Sequence, residues 1–347
     1  MSLLLDDGPR PRTRPRPTRA TYLRRRVAAL VAVFAITAVG VLGVRTTSTT
    51  GGSGTQSASA GEPPRARAFP TEPRLLSQLD LRPGYGVLLA PQRDRVNVRF
   101  SDPPRGGMVF DVHTGQVLWA RSPRTERPIA SLTKMMTAII VADSVPPGDR
   151  VTITGEAMNY EGSGVGEFRR GQKIDVETML YGLLLPSGND AAIALAQRVS
   201  GTQARFVALM NSKARALGLS CTRFASPSGI VDSGNHSCPR DLARLGREVL
   251  RRPRLARIVA TSSTSRPFPP RKGKRRRIWL SNNNTLMRRD YPGVTGVKTG
   301  YTNAAGSCLV ATARRNGRQL GVVLLDSPDT GEQGARLLDA AFARLAR

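Results

Sequence analysis

Three short polar segments interrupt apolar stretches of this chain, and each carries residue types able to do chemistry. The first is Ser131-Leu-Thr-Lys134. On a helix this spacing puts Ser131 and Lys134 on one face, a turn apart. Ser131 falls at the expected helix start, where the dipole favours an alkoxide and a developing oxyanion. Lys134 is followed by Met135, Met136, Ile139, Ile140 and Val141. Such surroundings depress an amine's pKa by desolvation and make it a possible base. The same pattern also suits a capping serine and a lysine that reaches solvent. The second segment is Ser187-Gly188-Asn189, after the apolar Leu183-Leu184-Leu185-Pro186. A hydroxyl and an amide placed there can face a cleft, or simply make a turn between helices with Asp190 as cap. The third is Lys298-Thr299-Gly300, expected to end the Gly-rich strand Gly293–Thr299. Small residues let a ligand backbone lie against a strand, and Lys298 with Thr299 can hold a carboxylate. An edge-strand lysine of no chemical role is the plain alternative.

Each segment is weak evidence alone. In this order, S-x-x-K, S-x-N and K-T-G define the active-serine penicillin-recognising enzymes. On these motifs the stretch from Gly107 to Ala346 resembles the D-alanyl-D-alanine carboxypeptidases. Further support comes from Pro128-Ile-Ala-Ser-Leu-Thr-Lys134, Leu185-Pro-Ser-Gly-Asn-Asp-Ala191, Phe224-Ala-Ser-Pro-Ser-Gly229, Asp232-Ser-Gly-Asn235 and Gly296-Val-Lys-Thr-Gly-Tyr-Thr-Asn-Ala-Ala-Gly306. The resemblance implies Ser131 as nucleophile, Lys134 as its base and Ser187 as the hydroxyl that passes a proton to the leaving amine. It implies that Asn189 holds substrate backbone, that Lys298 raises the local potential and helps keep Lys134 neutral, and that Thr299 binds the terminal carboxylate. Gly300 completes the third motif, and the backbone N–H groups of Ser131 and Tyr301 would form the oxyanion hole. The implied reaction is hydrolysis of a stem peptide ending in D-Ala-D-Ala through an acyl-enzyme, with β-lactams as inhibitors. D,D-endopeptidase action, or a catalytically weak penicillin- or peptidoglycan-binding protein, is the alternative. A class A β-lactamase would need a Glu-x-x-x-Asn-type loop after the second motif, and none lies between Asn189 and Lys298. Family members often carry a second, β-rich domain and a C-terminal amphipathic anchor. Here the residues after Gly300 suffice for two strands and a helix.

The elements that must position these groups follow from periodicity. Met108–Val112, a turn at His113-Thr-Gly115 and Gln116–Ala120 read as a β-hairpin. Helices are expected over Ser131–Asp143, Ile174–Leu185, Asp190–Ser200 and Thr202–Leu217, the last stopped by Gly218. Ser237, Pro239 and Asp241 signal another, running to Leu250. Strands return at Ile278–Leu280, Gly293–Thr299, Gly306–Ala313 and Gln319–Asp326, and Thr330–Ala346 closes as a helix. Strands from both ends and helices from the middle give an α+β fold, an antiparallel sheet flanked by helices beside an all-helical lobe. The resemblance gives this layout its type, serine β-lactamase/transpeptidase-like.

The chain has 347 residues and a formal net charge of +28, a balance that suits polyanionic partners. Basic residues cluster in the N-terminal arm from Arg10 to Arg26 and over Arg271–Arg277. Neither cluster is interleaved with aromatics or accompanied by a nucleic-acid-binding motif, so no nucleic-acid partner is expected. Val27–Val44 is 18 residues without a charge, just enough to cross a bilayer core of about 30 Å. Arg24, Arg25 and Arg26 precede it, so the arm should stay in the cytoplasm and the body should lie outside. Cleavage at Ala58-Ser59-Ala60 is the rival, although that box lies far beyond the apolar run. The expected organisation is a basic arm over 1–26, a single-pass anchor over 27–44, a Pro/Gly/Ser/Arg-rich linker over 45–105 and a catalytic domain over 106–347. Cys221 and Cys238 flank a Ser/Gly/Pro-rich loop and can pair in an extracellular body. Cys308 sits in an apolar run as a small buried residue. No Cys/His spacing suits a metal, and only His113 and His236 are present. Neither a metal nor any other cofactor is expected. Arg288, Arg289 and Lys272 are candidates for the cleft mouth.

Overall fold

The computed structural model describes residues 96–271 and 273–346. Its centre is a five-stranded antiparallel sheet built from both ends of the described chain. The strands are β1 (Gly106–Asp111), β2 (Val117–Arg121), β9 (Val294–Thr302), β10 (Gly306–Arg315) and β11 (Arg318–Leu325), in the order β2-β1-β11-β10-β9. Strands pleat, so neighbouring side chains go to opposite faces. Accordingly Met108 and Phe110 join the core facing the helical lobe, whereas Val109 joins the core under the C-terminal helix. β11 does the same, sending Val323 and Leu325 one way and Val322 and Leu324 the other. Apolar residues on both faces fit a sheet covered on both sides.

The helical lobe comes from the middle of the chain. β3 (Arg127–Pro128), which pairs with β6 (His236–Ser237), and a 3₁₀ turn (Ala130–Thr133) lead into α1 (Lys134–Ser144), followed by β4 (Arg150–Thr152), the short α2 (Gly155–Met158), β5 (Lys173–Asp175) and α3 (Val176–Leu184). After α3 come α4 (Asn189–Ser200), α5 (Gln203–Ala216), α6 (Pro239–Leu250) and α7 (Pro253–Val259). α1 is buried from Lys134 to Val141, and α4 buries Ala191, Ala192, Ala194 and Ala196. Alanines allow α4 to approach its neighbours closely, so it forms the lobe's centre. Thr202 Oγ1 caps α5 by accepting from Arg205 N at 3.2 Å. The last helix, α8 (Thr330–Leu345), is capped by Asp329, which accepts from Gly331 N and Glu332 N at 2.9 Å each.

Several expected boundaries move. Ile174 and Asp175 belong to β5, not to a helix, because they pair with Val151 and Arg150. The expected strand at Ile278–Leu280 is part of a hairpin of β7 (Ser263–Arg271) and β8 (Lys274–Ser281). β9 continues to Thr302, so Lys298-Thr299-Gly300 lies within the strand rather than at its end, with Gly300 opposite Cys308. Part of the expected linker packs on the body: Val96 is buried and donates to the Leu118 carbonyl at 3.2 Å, and Arg336 lies over the Phe100 ring. The Cys221–Cys238 disulfide is present, and Cys308 is free and buried. The bridge joins the start of α6 to the loop before Phe224, and Asp241 accepts there from Cys221 N at 2.7 Å. Val27–Val44 lies outside the described residues. Among those residues no helix is long and apolar enough to cross a membrane.

Candidate active site

The edge strand β9 lies against the 3₁₀ turn that carries Ser131. Contact is close at Gly300, where an added Cβ would sit 3.0 Å from both Ser131 N and the Ile129 carbonyl. The small residue of the third motif therefore makes room for the Ser131 backbone, and it also lines the space beside it. Between β9, this turn and the lobe lies an open cleft of about 450 Å³. Ser131, Ser187, Asn189, Thr299, Gly300 and Tyr301 line it. Lys134 and Lys298 are buried behind its wall. All eight residues selected from sequence thus converge, although 167 positions separate Ser131 from Lys298 in the chain.

Lys134 Nζ is at the centre. It lies 2.8 Å from Ser131 Oγ and donates to Asn189 Oδ1 at 2.6 Å and to the Ser228 carbonyl at 2.7 Å. Burial holds its pKa well below the ordinary lysine value, Lys298 pushes it down further, and Asp190 opposes the shift. Lys298 is also buried, which lowers its pKa to about 7, and its Nζ donates to the Thr299 carbonyl at 2.8 Å. Among the described residues neither lysine is ion-paired with a carboxylate, so both are costly to charge. The fold accepts this cost where the motifs meet.

Two non-glycine residues beside the cleft adopt left-handed backbone, Ala130 at φ 47° and Ser187 at φ 70°. Such conformations cost on the order of 1–3 kcal/mol each and persist where surrounding structure over-determines them. At Ala130 the constraint is visible. Gly229 packs so tightly that an added Cβ would meet the Ala130 carbonyl at 2.0 Å and Thr133 Oγ1 at 2.6 Å. Thr133 and Thr137 tie the same segment down through Asn235 Oδ1 and the Pro227 carbonyl. Ser187 Oγ is buried with no hydrogen-bond partner among the described residues, a hydroxyl left for something that enters the cleft.

Sequence reasoning missed the segment that clamps the second motif. Asn189 Nδ2 donates to the Glu161 carbonyl at 2.5 Å, Asn189 N to the Ser163 carbonyl at 2.8 Å, and Ser163 Oγ to the Ser187 carbonyl at 2.9 Å. Asp190, read only as a possible cap, is 1% exposed and accepts from Val165 N and Gly166 N at 3.0 Å each. The carbonyls of Ser228 and Glu161 carry no side-chain signal, so a motif search cannot find them. The buried aspartate directly after the motif is the signal that could have been used. Of the basic candidates, Arg288 donates to Oδ1 of the cleft residue Asn283, and Arg289 pairs with Asp329 at 2.8 Å. Lys272 lies outside the described residues.

The Ser131 hydroxyl, the buried Lys134 amine behind it and the orphan Ser187 hydroxyl suit acyl transfer, and comparison with known proteins agrees. Residues 105–329 match the family model described as D-alanyl-D-alanine carboxypeptidase. The chain is 32% identical over 248 residues to the D-alanyl-D-alanine carboxypeptidase DacF of Bacillus subtilis, covering 69% of this chain and 62% of that protein. It is 35% identical to a D-alanyl-D-alanine endopeptidase of Pseudomonas aeruginosa, over 73% of this chain and 83% of that one. The crystal structure of the Streptomyces K15 DD-transpeptidase superposes with a TM-score of 0.66 at 29% identity, covering 71% of this chain and all of that one. A D-alanyl-D-alanine carboxypeptidase structure from Mycobacterium tuberculosis gives 0.66 at 33% identity, over 73% and 96%. A family match over residues 105–329, together with relatives 32–35% identical and solved structures of the same fold, places the chain in the D-alanyl-D-alanine carboxypeptidase family.

Proposed function

We propose that this protein is a serine-type D-Ala-D-Ala carboxypeptidase that trims the terminal D-alanine of peptidoglycan stem peptides through an acyl-enzyme on Ser131. The observation that carries this reading is the triple coordination of Lys134 Nζ. A neutral amine has two N–H donors and one lone pair. Asn189 Oδ1 and the Ser228 carbonyl are acceptors only and take the two donors. The lone pair is then left for the proton of Ser131, 2.8 Å away. As Ser131 Oγ attacks the carbonyl carbon, Lys134 takes its proton and the carbonyl oxygen becomes an oxyanion. The backbone N–H groups of Ser131 and Tyr301 are the proposed donors to it. The proton then passes through Ser187 to the amine of the leaving D-alanine. Water deacylates Ser131 by the same route in reverse.

Thr299 is the proposed reader of the terminal carboxylate, with Lys298 behind it. Charge-assisted hydrogen bonds contribute about 1.5–3 kcal/mol each, which is roughly ten- to a hundredfold in rate when kept in the transition state. A peptide ending in D-Ala-D-Ala carboxylate should therefore be cleaved that much faster than its C-terminal amide, and Thr299→Val should erase most of the difference. Release of D-alanine is followed by mass spectrometry. Equal turnover of acid and amide would sink the reader role. It would favour the second reading, endopeptidase action, which the resemblance to relatives named D-alanyl-D-alanine endopeptidase already supports.

The proposed setting is the outer face of the cell membrane, with residues 1–26 inside, 27–44 as a single-pass anchor and 45–105 as a linker to the catalytic domain, 106–347. The charge-free run behind three arginines supports it. Protease added to spheroplasts should remove the catalytic domain, and protection of that domain would contradict the topology.

A further inference from the structure

The β7–β8 hairpin carries a surface that the site chemistry does not use. Along β8, Ile278 and Leu280 point inward and are buried, whereas Arg275, Arg277 and Trp279 point outward and are exposed. The inward face is engaged. Phe168 stacks on Phe268 with centroids 6.1 Å apart, Arg266 lies over the Tyr181 ring, and Arg276 pairs with Glu167 at 2.7 Å. The outward face is different. Trp279 is 68% exposed, more than any other large hydrophobic side chain among the described residues. Arg277 Nε donates across the hairpin to Ser265 Oγ at 2.7 Å, and Ser265 stands opposite Trp279 in the register. A guanidinium is thus fixed beside the indole. Arg271 and Lys274 face each other at the tip. Among the described residues no carboxylate pairs with Arg271, Lys274, Arg275 or Arg277.

A lone exposed tryptophan needs no explanation. An indole beside a fixed guanidinium, on a ribbon of uncompensated cations, is a recognition surface: an aromatic face for a sugar ring and donors for anions. Its location limits the occupant. Asn283, four residues beyond Trp279, lines the cleft and is tied to the second motif through the Leu185 and Pro186 carbonyls. Four residues of extended chain span about 14 Å at most. The polymer sure to lie within that reach is the one covalently joined to a peptide in the cleft. A bilayer is a poor occupant, because the tip residues Arg271, Gly273 and Lys274 offer no apolar group to insert and interfacial binding grows with buried apolar area.

We infer that this strip binds the glycan strand of peptidoglycan, with Trp279 stacking on sugar rings and Arg275 and Arg277 taking the free carboxylates of neighbouring stem peptides. This rests on the peptidase reading and adds a second contact to the same substrate. The test is cosedimentation of the detergent-solubilised full chain with purified sacculi freed of lipid and attached phosphate polymers. Trp279→Ala and the double variant Arg275→Ala/Arg277→Ala should each bind about tenfold or more weakly, the usual size of a lost aromatic or arginine anchor. Both should still release D-alanine from a short soluble peptide at the unaltered rate, which also reports an intact fold. Equal binding by Trp279→Ala and the parent chain overturns the inference. So does parent-chain binding that requires the phosphate polymers, or that transfers undiminished to anionic lipid vesicles. If the parent chain binds sacculi through Trp279 but cleaves no D-Ala-D-Ala peptide, the peptidase reading fails while the strip stands.

Discussion

Lys134→Arg should abolish acylation of the enzyme by penicillin while leaving the chain folded. Arginine supplies a permanent positive charge and can still donate to Asn189 Oδ1 and the Ser228 carbonyl, the partners that hold Lys134. It cannot take a proton, because a guanidinium stays charged at any working pH. A positioned general base contributes typically about 10²–10⁴-fold to rate, so the acylation rate should fall by at least the lower of these factors. Stopped-flow acylation with a chromogenic β-lactam measures the loss directly. The substitution separates charge from basicity. If Lys134 only stabilised the oxyanion, arginine would retain most of the activity. A rate within a few-fold of the parent enzyme would therefore exclude Lys134 as the base. The burial that depresses the lysine pKa makes the experiment sharp, because the unmodified residue has no water-exposed surface.

Asp190→Ala is expected to give the second large effect, through position rather than charge. The Asp190 carboxylate accepts from Val165 N and Gly166 N, and the segment it holds supplies the Glu161 and Ser163 carbonyls that fix Asn189. Alanine would remove two part-buried hydrogen bonds to a charged acceptor, worth about 1–2 kcal/mol each. For a domain of this size each kcal/mol lowers Tm by about 2–4 °C, so calorimetry should show a drop of roughly 5–15 °C. Acylation should slow in parallel, because Asn189 Oδ1 is one of the two acceptors that orient Lys134. Asp190→Asn keeps one acceptor and should fall between the two. Unchanged Tm and unchanged acylation in Asp190→Ala would show that the 161–166 segment does not position the second motif.

The parts of this molecule that the sequence made legible are those whose signal is local. Ser131 and Lys134 are three residues apart, and although the α-helix expected from Ser131 begins only at Lys134, after a 3₁₀ turn that carries Ser131, no long-range knowledge is needed to pair them. The first hairpin, α6 and the sheet strands β10 and β11 follow from alternation and start signals. Longer-range features were harder. β7 carries Pro267, Pro269 and Pro270, residues that normally argue against a strand, yet among the described residues it pairs with β8 alone and can spare their amides. β9 is expected to end at Thr299 but runs on to Thr302, because the missing side chain of Gly300 lets the strand pass the Ser131 amide. α7 is a short helix between Pro253 and Val259, too brief to show a period. The acceptors that orient Lys134 and Asn189 include the backbone carbonyls of Ser228 and Glu161, which any residue could provide. Motif residues can be recognised by type, but the groups holding them in place are a property of the fold.

The central claim is that Ser131 is the nucleophile, and intact-mass spectrometry after incubation with penicillin tests it most directly. One adduct per chain is predicted, on the peptide that contains Ser131, with none on Ser131→Ala and slow loss from the parent enzyme as D-Ala-D-Ala hydrolysis resumes. An adduct that persists in Ser131→Ala, or that maps to Ser187 or Ser163 in the parent chain, would contradict it.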